Sequence, residues 1–90
     1  MVDTEAERIE MTVFKEIFDA AFQKAGVSPT SEDWSTCVSI VEIRRTSLAL
    51  AEQYRQQGDR LKVKKLEEKA QECEQVFADL AAYLAEERAA

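Results

Sequence analysis

Residues 60–87, RLKVKKLEEKAQECEQVFADLAAYLAEE, decide the fold class. Within them Val63, Leu66, Ala70, Cys73, Phe77, Leu80 and Leu84 alternate spacings of three and four residues without a miss. That alternation places all seven on one seam of a helix and leaves Lys64, Glu67, Glu68, Gln71, Glu74 and Gln75 for water. A seam of this kind needs partner helices. It carries no chemistry of its own.

The residues on either side supply the partners. Gly58-Asp59 combines a helix stop with an N-cap, so a second helix ends near residue 57 and the third begins at 59. Upstream, Val27-Ser28-Pro29-Thr30-Ser31 is the one Ser/Thr/Pro cluster. Pro29 bars Ser28 from helical geometry, and Thr30 or Ser31 can cap a new helix with Glu32 and Asp33 in its first turn. Gly26 closes the first helix, which starts at Asp3 or Thr4, where Thr4 and Glu7 have capping-box spacing. The expectation is an all-α, antiparallel up-down-up three-helix bundle with helices at about 4–25, 31–57 and 59–87, in one domain spanning 1–90. The alternative at Gly58 is one long rod exchanged between two copies, since a glycine inside a helix costs only about 1 kcal/mol.

Composition agrees. Of 90 residues, 46% are apolar and 33% charged, with two glycines and one proline, too few for the many turns of a β-sandwich. Eighteen acids against twelve bases give a net charge of −6, which disfavours phosphate backbones, so nucleic acid is not expected as a general partner. No apolar run approaches the ~20 residues of a membrane span, and Met1-Val2-Asp3-Thr4-Glu5 lacks the basic start and apolar core of a signal peptide. A cytoplasmic chain is therefore expected, its two cysteines free and buried. Histidine is absent, which removes the commonest general base and metal ligand. No glycine-rich phosphate loop, Cys-x-x-Cys or EF-hand spacing occurs, so neither enzymatic activity, a cofactor, a metal nor a small-molecule substrate is expected.

Helical faces carry what functional information remains. The second helix has two apolar directions, Trp34, Cys37, Val38, Val41, Leu48 and Ala51 against Ile40, Ile43, Leu50 and Tyr54, as a central helix with two neighbours would. Folding about Gly58 levels Val41 with Cys73 and Phe77, Leu48 with Ala70 and Tyr54 with Val63. That register separates Cys37 from Cys73 by about 10 Å along the axis, beyond disulfide reach.

The first helix also has two stripes. Ile9, Val13, Ile17 and Ala20 form one; Met11, Phe14, Phe18, Phe22 and Ala25 form the other. An outer helix buries one stripe, so the expectation is an exposed interface of Met11, Phe14, Phe18 and Phe22, joined by Tyr54. It would bind another protein or pair two copies in a homodimer. The competing expectation is a deeply seated helix that buries both stripes.

Charge is uneven as well. Arg55, Arg60, Lys62, Lys64 and Lys65 crowd the second turn, as a phosphate contact of a nucleic-acid-associated regulator would require. The simpler expectation is neutralisation by Asp3, Glu5, Glu7 and Glu10 at the start of the first helix. At the other end Glu32 and Asp33 meet Glu86 and Glu87, acids without an evident partner. The overall expectation is a small acidic protein working through protein–protein contacts as an adaptor, chaperone-like or inhibitory module.

Overall fold

A computed structural model describes residues 4–89, and side chains from Glu5. Three helices follow in order: α1 Thr4–Ala25, α2 Ser31–Gln56 and α3 Arg60–Ala89. The expected starts and stops hold to within two residues; α3 runs on through Arg88 and Ala89, which contain nothing to break a helix. The alternative start at Asp3 and the cap expected of the Thr4 side chain lie outside the described residues.

The turns show why the helices end where they do. Gly26 and Gly58 have φ of +75° and +79°, the left-handed region that L side chains avoid. At Gly58 the Asp59 amide donates to the Tyr54 carbonyl (3.0 Å) and the Gly58 amide to Arg55 (3.1 Å), the paired bonds of a Schellman close. Gly26 repeats the motif, with Val27 N–H to Phe22 O at 3.2 Å and Gly26 N–H to Gln23 O at 3.1 Å. Asp59 then caps α3 by accepting from the Lys62 amide at 3.2 Å. Between α1 and α2, Thr30 and Asp33 form a reciprocal capping box at 3.0 and 3.1 Å, and the Thr30 amide holds the Asp33 carboxyl below its ordinary pKa. The chain therefore folds back at Gly58 as a hairpin, and the continuous rod is not formed.

Packing follows from side-chain volume. α2 and α3 pack most closely, and toward their turn the small residues Ser47, Ala51 and Ala70 are buried between them. α1 rests chiefly on α3 and only lightly on α2. This corrects the expectation that α2 is the central helix: α3 touches both neighbours. Phe14, Phe18 and Phe22 share the core with Ala81 and Ala85 of α3, large against small, which lets those two helices approach. On the α2 side α1 meets Trp34, Arg44 and Arg45, and an open groove of about 710 Å³ lies between the two helices, lined by Met11, Thr12 and Lys15 of α1 and Trp34 and Arg45 of α2. Cys37, Val41 and Phe77 complete the core at full burial.

Candidate functional site

The phenylalanine stripe is core. Phe18 is 0% exposed, Phe22 1% and Phe14 6%, and Met11 is half-buried against them. Phe18 packs on Phe22 and on the Trp34 indole with centroids 4.6 and 5.1 Å away, and Phe14 meets Phe77 edge-on at 4.8 Å. An exposed Phe14–Phe18–Phe22 interface is therefore not what this fold presents. Tyr54 does not join them. It lies at the Gly58 end under the Lys62 ammonium (4.8 Å), about 30 Å along α2 from Trp34 at 1.5 Å per residue.

The stripe left to solvent is the other one. Ile9, Val13 and Ile17 are 61%, 49% and 39% exposed, one helical turn apart. They line one wall of an open groove of about 430 Å³ whose other members include Glu10, Arg44 and Glu74. The expectation that α1 carries more apolar surface than the bundle hides is met, with the two stripes exchanged. The signal was in the residue types. A phenylalanine offers more apolar area to bury than valine or isoleucine, so three of them outcompete the aliphatic stripe for the core.

An ion-pair cluster fixes α1 beside that groove. The Glu10 carboxylate accepts from Arg44 Nη1 (3.2 Å) and Arg45 Nε (3.3 Å), while Arg44 Nε donates to Glu74 at 2.8 Å. Arg44 also lies over the Phe14 ring, 5.6 Å from its centroid. Only a fifth of the Glu10 side chain is exposed, so solvent screens these pairs less than surface ones. Nη2 of Arg45 is buried without a partner among the described residues.

A second open face lies on the α2–α3 hairpin, away from α1. Ile43 and Leu50 share a groove there with Leu66 and Lys69, and are 48% and 39% exposed. Val76 and Tyr83 follow Lys69 at seven-residue steps on the same side of α3, at 51% and 60% exposure. Of the second apolar direction of α2, Ile40 packs against the core and Tyr54 lies half-buried under Lys62, while Ile43 and Leu50 are left exposed.

The basic residues at the turn are not gathered into one patch. Arg55, Arg60 and Lys64 line a shallow groove with Glu67, whereas Lys62 and Lys65 project from the opposite side of α3. Nor are they neutralised by the start of α1. Glu10 is level with Arg44 and Arg45; Thr4 lies about 9 Å beyond it, and Gly58 about 20 Å beyond Arg45, at 1.5 Å per residue. Asp3 is outside the described residues. Compensation is instead local: Arg55 pairs with Glu52 and, at 3.6 Å, with Glu67, while Lys62 pairs with Asp59 at 3.7 Å.

Both cysteines are free thiols. Cys37 is fully buried; burial, with a smaller effect from the Asp33 charge, pushes its pKa up to about 11. Cys73 is half-buried. Among the described residues no three Cys, Asp or Glu side chains converge as a metal site requires, and no helix is long and apolar enough to cross a membrane. Compared with protein-family models, curated proteins and solved structures, the chain matches none of them.

Proposed function

We propose that this protein is a binding module for an amphipathic helix of another protein, with the outward stripe of α1 as its working face. The observation that carries the proposal is the exposure of Ile9, Val13 and Ile17 in one row beside a groove. β-branched residues are weaker helix formers than the Ala, Glu and Lys around them, and leaving them in water forgoes their burial energy. A covering helix would supply that burial through apolar residues at three- and four-residue spacing. Glu5 and Glu16 flank the stripe on one side with no ion partner among the described residues, whereas Glu74 on the other side is already paired with Arg44, so a helix with a basic flank toward Glu5 and Glu16 fits best. An adaptor or an inhibitor would each use such a face.

A displayed library of amphipathic helices tests this. Selected sequences should carry apolar residues at that spacing flanked by Lys or Arg, and Val13→Glu should weaken their binding at least about tenfold with the thermal midpoint unchanged. Failure to select any helix, or undiminished binding to Val13→Glu, overturns the proposal. A phosphate-binding role for the turn has less support, because Arg55, Arg60, Lys62, Lys64 and Lys65 divide between two sides and alternate with acids.

A further inference from the structure

The uncovered face of the α2–α3 hairpin has a polarity that the α1 stripe lacks. At the Gly58 end, Lys65 and Lys69 are exposed and form no ion pair among the described residues. At the far end of the same helix Glu86 and Glu87 are exposed and form no ion pair among the described residues, two acids beside Arg88 in a last turn where the helix dipole favours cations. Glu32, at the start of α2, is a third acid at that end with no ion pair among the described residues. Between the two charged ends lie the exposed Val76 and Tyr83 of α3 and Ile43 and Leu50 of α2. One surface thus carries Lys65 and Lys69, with Glu68 and Glu72 beside them, toward the Gly58 end, these apolar residues interspersed with Ser39, Glu42 and Thr46 along its middle, and Glu86 and Glu87 at the far end.

From this arrangement we infer that the face takes a second copy of the chain, packed antiparallel about a two-fold axis near Val76. A parallel copy would set lysines on lysines and carboxylates on carboxylates. The antiparallel copy opposes unlike charges at both ends at once, as an isologous contact must. Position in the chain supports the register. Val76 lies midway between Lys65 and Glu87, and also midway between Lys69 and Tyr83, so the rotation brings each lysine to an acid or to an aromatic face. Area supports it too. Two adjacent helices some 45 Å long and about 9 Å apart present on the order of 800 Å², the share each partner contributes to a standard interface. The hairpins would stack face to face as a four-helix bundle, with both α1 helices outside and their own stripes still open. The inference does not rest on the function proposed above.

Sedimentation velocity on the intact chain tests it, through charge reversal and mixing. The wild type should sediment at twice 10.2 kDa in the tens-of-micromolar range at low salt and shift toward monomer as salt rises. Lys65→Glu with Lys69→Glu should raise the dissociation constant about a hundredfold or more, and so should Glu86→Lys with Glu87→Lys. An equimolar mixture of the two double variants should restore the dimer, because each reversed end then meets its opposite. Val76→Glu should give a monomer of unchanged helix content, which covers the case of a charge variant that folds poorly. Val13→Glu should remain a dimer, so failure of the α1 proposal reads out separately. A monomeric wild type at low salt, double variants that stay dimeric, or a mixture that stays monomeric overturns the inference.

Discussion

Truncating Phe18 tests the stripe assignment most directly. Its ring is 0% exposed and lies 4.6 Å from the Phe22 centroid and 5.1 Å from Trp34. At about 25 cal/mol per Å² and roughly 150–200 Å² of side-chain surface, burying it contributes on the order of 4–5 kcal/mol. Phe18→Ala also leaves a cavity between helices whose backbones are fixed by other contacts, so a loss of about 3–5 kcal/mol is expected. A chain of this length has about 5–13 kcal/mol in total, and each kcal/mol moves the midpoint by about 4–8 °C. The variant should therefore melt roughly 12–40 °C below the wild type. Val13→Ser on the opposite stripe begins 49% exposed and should cost under about 1 kcal/mol. Urea melts of both variants by far-UV circular dichroism, at one protein concentration, compare them directly. A loss below about 1 kcal/mol for Phe18→Ala, with a larger one for Val13→Ser, would falsify the assignment and return the phenylalanines to the surface.

Three further outcomes follow from the same contacts. Glu10→Gln removes the charge shared by Arg44 and Arg45 and should cost about 1–2 kcal/mol, with hydrogen exchange accelerated in α1 ahead of the α2–α3 hairpin. Equal acceleration in all three helices would mean that the cluster does not hold α1. Gly58→Ala meets no steric obstacle but forces alanine to a φ of +79°, so a loss of about 1 kcal/mol is expected in a urea melt, and a gain would contradict the turn geometry. Cys37 has a folded pKa raised to about 11 from an ordinary thiol value of 9.0. Its contribution is complete below the ordinary value and is lost as pH rises through the folded one, about 2–3 kcal/mol over that window. Cys37→Ala should lack this alkaline limb, and a thiol reagent at neutral pH should modify Cys73 well before Cys37.

How far the sequence reached can be traced residue by residue. The break at Gly26, the cap at Thr30 and the Gly58-Asp59 turn were all legible, because each depends on the local conformational preferences of one or two residues. The hairpin register was legible too. Its expected levels agree with the Arg44–Glu74 and Arg55–Glu67 pairs and with Val41 and Phe77 in one core. Local chemistry and a 3.6-residue period suffice for that much.

Periodicity also showed that α1 and α2 each carry two apolar stripes, but an angle on a helix does not say what lies opposite. Only the tertiary structure decided that the phenylalanines of α1 turn inward, because their volume fits against Ala81 and Ala85, residues some sixty positions away. Only it decided that α1 rests chiefly on α3 and meets α2 lightly, through Trp34, Arg44 and Arg45. The sequence by itself determined three helices, their caps and a surplus of apolar surface. Which surface remained in water was settled by side-chain volumes meeting across helices, a property that no single helix contains.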